Sequence, residues 1–212
     1  MISSFITIKE KAMSTPKTLL QIAGAAPRSP KWQDAALVLI DHQTEYTAGG
    51  VPLAGIDAAV SEIAALLRQA RAAGAPVFHV VHHARPGAAL FDPQREYVNI
   101  IDGLQPHDGE VTVVKTLPNS FAGTTLDAEL KKAGKKELII AGFATHMCIS
   151  ATTRSALDHG YVSTVVAAAC ATRDLPDALG QGVVSAAEVQ RATLAALADR
   201  FATIVPDAAV LS

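Results

Sequence analysis

Two kinds of hydrophobic pattern alternate along the chain. Six short runs are apolar and partly β-branched, with little polar interruption: residues 36–40, 76–81, 111–114, 138–143, 162–169 and 202–205. A strand with water on one face alternates polar and apolar residues, whereas one covered on both faces does not. These runs therefore predict the strands of a parallel sheet. Between most of them the apolar residues recur at helical spacing. Ile56, Val60, Ile63, Leu67 and Ala70 fall on one helix face, Gly74 ends it and Pro76 opens the next strand. Residues 125–133 carry Leu126 and Leu130 and end at Gly134, and residues 148–159 end at Gly160. Residues 185–200 carry Val189, Leu194 and Leu197, with Ser185 as N-cap and Glu188 completing a capping box. Strand alternating with helix predicts an α/β fold, a three-layer α/β/α domain around a six-stranded, mainly parallel sheet. Residues 84–110 break the rhythm with Pro86, Pro93 and Pro106 and no clear period. A loop of this length inside a compact domain is usually functional, and it reads as a lid or a subunit contact.

Composition narrows the classes. At 212 residues the chain fits one domain, and 50% hydrophobic with 18% charged residues excludes a disordered chain. Lys and Arg number 18 against 20 Asp and Glu, a net charge of −2, so no bulk positive field exists to attract nucleic acid. Two cysteines, Cys148 and Cys170, without a C-x-x-C pair, give neither a disulfide framework nor a zinc ribbon, and predict free thiols in a cytoplasmic protein. No apolar run approaches the ~18 residues of a membrane span, so no membrane partner is expected. Residues 1–30 read as a partly flexible arm before a domain at 31–212. The arm holds Lys9, Lys11, Lys17 and Arg28 against Glu10, and Met13 followed by Ser-Thr-Pro-Lys reads like a natural start. Residues 1–12 are then either an overextended start or part of the arm.

Ligands of open α/β sheets bind beyond the carboxyl ends of the strands, so the residues that follow each strand carry the candidate chemistry. Asp41 follows the first, Lys115 the third and Cys148 the fourth. A thiol becomes a strong nucleophile only as thiolate. A nearby ammonium and the N-terminus of the helix that Cys148 opens would both lower its pKa, and a carboxylate could take its proton. Each residue alone has a bland reading: a loop acid, a solvated lysine, a small buried hydrophobe. Their coincidence at one sheet edge is what points to catalysis.

The same residues carry a family resemblance. Leu39-Ile40-Asp41-His42-Gln43, Val114-Lys115 with Asn119-Ser120-Phe121-Ala122-Gly123-Thr124, and Ala141-Gly142-Phe143-Ala144-Thr145-His146-Met147-Cys148 resemble the isochorismatase-like cysteine hydrolases. The likeness continues through Ala156-Leu157-Asp158-His159-Gly160-Tyr161 and Cys170-Ala171-Thr172-Arg173-Asp174, and covers residues 33–210. It implies an Asp41–Lys115–Cys148 triad that attacks an amide, ureide or carbamoyl carbonyl through a thioester. It also implies a cis peptide at 143–144, an oxyanion hole from the backbone N–H groups of Ala144 and Cys148, and a homo-oligomer, a dimer or larger. Gln43, Tyr46, Phe121, His146 and Met147 are the expected substrate-binding residues for a small molecule. Nicotinamidases of the family hold a metal just beyond the second strand. Here that stretch reads His82-His83-Ala84 without a carboxylate, so neither metal nor other cofactor is expected. His79, His82 and His83 read as pocket lining or a subunit contact, Cys170 as inert and Arg154 as a surface charge. Two alternatives stay open: vinyl-ether hydrolysis of the isochorismatase type, with Asp41 supplying a proton, and a non-catalytic small-ligand binder on the same fold.

Overall fold

A computed structural model describes residues 15–25, 30–180 and 182–211. The reading of residues 1–12 lies outside them. Within the arm, the short helix α1 (Leu19–Ile22) begins with a capping box between Thr18 and Gln21, and the Leu19 N–H bonds to Asp199.

The central sheet contains β1 (Ala35–Ile40), β2 (Val77–His82), β3 (Val111–Lys115), β4 (Glu137–Phe143), β5 (Val162–Ala171) and, after a short antiparallel hairpin of β6 (Leu175–Pro176) and β7 (Val183–Val184), β8 (Ala202–Val205). The order is β3-β2-β1-β4-β5-β8, and every adjacent pair is parallel. The expected sheet was mainly parallel; it is wholly so, and the hairpin lies outside it. The uninterrupted apolar runs have a simple cause. In β1, Leu37 and Leu39 enter the core beneath α2 (Ile56–Ala72), while Ala36, Val38 and Ile40 enter the core on the other face. That second core takes Leu126 and Leu130 from α3 (Leu126–Lys132), Ala156 from α4 (Ser150–Asp158) and Leu197 from α5 (Ala186–Arg200). With both faces covered, alternate side chains feed two different cores and neither set can be polar. The Ser185–Glu188 capping box forms as expected.

The chain winds outward in both directions from β1 and β4, so the crevice between their carboxyl ends is the topological switch point of the sheet. Gly142 sets its width. It pairs with Ile40 at φ +121°, and a Cβ there would fall 2.0 Å from the Ile40 carbonyl oxygen. Substituting Gly142→Ala is expected to destabilise the fold by more than about 3 kcal/mol in denaturant unfolding, because backbone must move. Gly134→Ala is the control. It shares a positive φ but would meet nothing within 4 Å, and should cost only about 1 kcal/mol.

Candidate active site

Asp41, the first residue past β1, turns out of the strand in the left-handed region at φ 52°, a conformation that Asp tolerates better than most residues. Its N–H bonds to the Val80 carbonyl, and the Gln43 N–H bonds back to its own carbonyl. Lys115 ends β3, and its side chain is as buried as the Asp41 carboxylate. Its ammonium lies 2.8 Å from Asp41 Oδ2, 3.3 Å from Cys148 Sγ and 3.2 Å from His82 Nδ1. An ammonium has three N–H donors, and here three acceptors meet it. A buried lysine without such partners would be strongly destabilising. Parallel pairing sets part of the arrangement, because His82 and Lys115 are register partners on β2 and β3.

Cys148 does not open a regular helix. It sits in a wide π-helical turn, Thr145–Ile149, that follows the cis peptide Phe143–Ala144 and leads into α4. Thr145 Oγ1 donates to the Ala171 carbonyl, and His146 Nδ1 lies 2.6 Å from Thr172 Oγ1, so the turn is tied to the end of β5. This corrects the expected electrostatics of the thiol. Burial pushes the Cys148 thiol up, the Asp41 charge adds to that, and Lys115 only partly opposes them. Burial also raises Asp41 above the ordinary carboxylate range, against the pull of Lys115. Both groups are thus held toward their neutral, protonated forms by burial, with the Lys115 ammonium the one charge that favours ionising either. Burial and the neighbouring Lys115 hold His82 down at about 4, so it faces the ammonium as a neutral acceptor.

The other residues singled out in the sequence separate into two groups. Tyr46 and Ala144 belong to the site. The Tyr46 ring packs edge-on against Phe143 and Phe91, its hydroxyl meets the Ala144 backbone N–H, and it feels the Asp41 and Cys148 charges. His146 is half-buried beside Thr172, and Met147 is 45% exposed next to the nucleophile. Gln43 is fully committed elsewhere. Its Nε2 donates to the His82 and Val98 carbonyls and its Oε1 accepts from the His82 N–H. Phe121 stacks on His159 at 4.6 Å and on Tyr161 at 5.7 Å. Ser120 Oγ accepts from Thr152. Arg154, expected as a surface charge, lies over the Phe201 ring at 4.3 Å. Cys170 is buried and pushed up to about 12 by desolvation.

Three contributors stand outside the residues expected from the sequence to bind substrate or carry catalysis. His82, weighed there as pocket lining, is the third acceptor of Lys115. Phe91, at φ 53° in the 84–110 loop, packs edge-on against both Tyr46 and His82, and its N–H is held by the buried Glu45 carboxylate. Arg173 is half-buried, and its charge bears on Tyr46 and His146. His82 and Phe91, one of the chain's few aromatics, read from the sequence as candidate pocket walls, whereas Arg173 had no signal beyond its place after β5. Among the described residues no three His, Cys, Asp or Glu side chains gather as metal ligands, and no helix is long and apolar enough to cross a membrane.

Comparison with known proteins places the chain in a family. The isochorismatase domain profile matches residues 35–208. A secreted isochorismatase effector, Isc1, of Verticillium dahliae is 38% identical over 193 residues, 91% of this chain and 97% of its own. A streptothricin hydrolase of Streptomyces noursei is 36% identical over 83% of this chain and 69% of its own. The crystal structure of an isochorismatase from Pseudomonas putida KT2440 superposes with a TM-score of 0.86 at 40% identity, over 92% of this chain and 99% of that one. Profile, relatives and fold coincide over the segment that builds the Asp41–Lys115–Cys148 cluster, and the chain belongs to the isochorismatase family of hydrolases.

Proposed function

We propose that the protein is a cysteine hydrolase that cleaves a C–N bond of a small amide, ureide or carbamoyl compound. One observation carries this reading: a single buried ammonium touches both a carboxylate and a thiol at the switch point of the sheet. Cys148 is the nucleophile. Asp41 takes the thiol proton as sulfur attacks the carbonyl carbon. The backbone N–H groups of Ala144 and Cys148 receive the developing oxyanion, which takes the place of the Tyr46 hydroxyl at the Ala144 N–H. Asp41 then gives its proton to the departing nitrogen and leaves a thioester. Water attacks the thioester, its proton passes to Asp41, and the thiolate departs and takes that proton back. Lys115 stays charged throughout and balances whichever partner is anionic. The raised Asp41 fits these duties, because a carboxyl above the ordinary range holds the thiol proton better and can pass it to the departing nitrogen. The streptothricin hydrolase relative supports hydrolysis within this family.

The test is ammonia release over a panel of small amides, ureides and carbamoyl amino acids, with a chelator present. Release that survives chelation, with a substrate acyl group trapped on Cys148 by acid quench and found by mass spectrometry, is the expected result. Release without any covalent intermediate would overturn it. A second reading, vinyl-ether hydrolysis with Asp41 as proton donor, is favoured by the isochorismatase-named relative. It predicts cleavage of isochorismate without ammonia and without dependence on Cys148.

His82 gives an independent prediction. His82→Leu removes one acceptor from a buried ammonium and is expected to slow turnover about tenfold or more. His82→Asn keeps a polar acceptor and should recover much of the rate. Equal rates for the leucine variant and the parent would show that Lys115 needs only two partners.

A further inference from the structure

Behind Asp41, on the α2 side of the sheet, runs a polar chain that the proposed chemistry does not use. His42 Nε2 lies 2.9 Å from His79 Nδ1, and His79 Nε2 lies 2.8 Å from Glu110 Oε2. Arg71 of α2 grips the same carboxylate with Nε at 2.7 Å and Nη2 at 2.9 Å. Both histidines are completely buried.

The surface end of the chain fixes its proton order. Glu110 is ionised: burial opposes this, but bonds from Arg71, the His107 N–H and His79 hold it at about 2. A carboxylate only accepts, so His79 Nε2 carries a proton. Burial keeps His79 neutral, against the pull of Glu110 and with smaller contributions from Arg71 and His107. A neutral imidazole has one N–H, so His79 Nδ1 accepts and His42 Nε2 donates. His42 is neutral too, through burial and the neighbouring His79. Its Nδ1 is then a bare lone pair, buried with no partner among the described residues. An orphaned buried acceptor is destabilising. The protein carries that penalty at the position directly after Asp41.

We propose that His42 is a positioning residue for Asp41: its bond to His79 anchors the residue after the carboxylate to β2 and so holds the left-handed turn that aims Asp41 at Lys115 and Cys148. The inference rests on the catalytic role given to Asp41 above. The neighbours of His42 are anchored in the same way. Gln43 is clamped to the His82 and Val98 backbone, and the His42 carbonyl accepts from the Ile101 N–H. With φ at 52°, Asp41 leaves the β1 ladder, and the chain beyond it is held by isolated contacts such as the Gln43–Ile100 bridge and the His42–His79 bond. A displacement of about 1 Å at a catalytic group is enough to lose most of its effect.

The test reads the Cys148 thiol directly and needs no substrate. Iodoacetamide alkylation of Cys148 is followed against pH by peptide mass spectrometry, with Cys170 as internal control. Asp41 holds the thiol up, so Asp41→Asn should move the profile down by about one pH unit or more. His42→Leu, by misdirecting Asp41, should move it at least half as far, and should add nothing in an Asp41→Asn background. His42→Gln, which offers an N–H near the original Nε2, should stay with the parent. The double variant His42→Leu/His79→Leu removes both halves of the bond, so it leaves no orphaned partner and guards against a single variant that fails to fold. Positioning predicts that it is stable yet shifted like His42→Leu. A double variant that is stable and titrates like the parent, or a folded His42→Leu that does so while Asp41→Asn shifts, overturns the positioning role alone. A profile unmoved by Asp41→Asn removes the catalytic reading of Asp41, and this inference with it.

Discussion

Cys148→Ala is expected to lower turnover of any amide substrate by at least about a thousandfold, with the fold intact. The side chain is small, buried and bounded by polar groups on one side, so its loss leaves a modest cavity. Unfolding should shift by no more than about 1–2 kcal/mol. A large kinetic loss with little structural loss is the signature of a nucleophile. Cys148→Ser sharpens the comparison. A serine hydroxyl keeps the hydrogen bond to Lys115, but it is far harder to deprotonate than a thiol, so it should fall with alanine. The measurement is kcat/KM by ammonia release, with circular dichroism and denaturant unfolding alongside. A serine variant retaining more than about a tenth of parental activity would mean that the reaction does not need the sulfur as nucleophile.

Asp41→Asn should be equally damaging for turnover yet should make the thiol easier to ionise. The sign follows from the charges. Asp41 adds a negative charge beside Cys148 and raises its pKa, while Lys115 lowers it. Removing the carboxylate charge leaves the ammonium facing the thiol alone, so the pKa falls and alkylation at neutral pH speeds up. The buried ammonium gains a thiolate in place of its lost carboxylate, which limits the destabilisation. Turnover nevertheless collapses, because an amide cannot carry the proton to the leaving nitrogen. A more reactive thiol in a dead enzyme is hard to obtain in any other way. In the parent protein the raised pKa of Asp41 also places the acid limb of kcat/KM above the ordinary carboxylate range. A limb at an unperturbed carboxylate pKa, or slower alkylation in Asp41→Asn, would contradict this account.

These expectations rest on geometry that the sequence conveyed unevenly. Asp41, Lys115 and Cys148 could be chosen from the linear chain because each follows an apolar run, and in a parallel sheet the ends of such runs lie at one edge. Gln43 and Phe121 could not be judged in the same way. Both sit within recognisable blocks near the triad, yet Gln43 spends its amide on the His82 and Val98 backbone, and Phe121 turns away to stack on His159 and Tyr161. A sequence block places a backbone near a site, whereas the side chain follows its hydrogen bonds and packing. The thiol shows the same limit. Its pKa was expected to fall from nearby positive charge, but desolvation depends on how completely the site closes, and that is a property of packed layers.

The sequence alone determined the class of fold, the six strands and the principal helices, because hydrophobic period and capping chemistry are local and repeat along the chain. It also supplied the three chemical groups. Only the tertiary structure decided that one ammonium would touch the carboxylate, the thiol and His82 together, that Phe91 would close against Tyr46, and that His42 would find His79 behind the site. His42 and His79 are far apart in the chain; the register of β1 on β2 pairs His79 with Leu39, and the turn beyond the end of β1 carries His42 to it. Register is set by the cores on both faces, and no single stretch of sequence contains it.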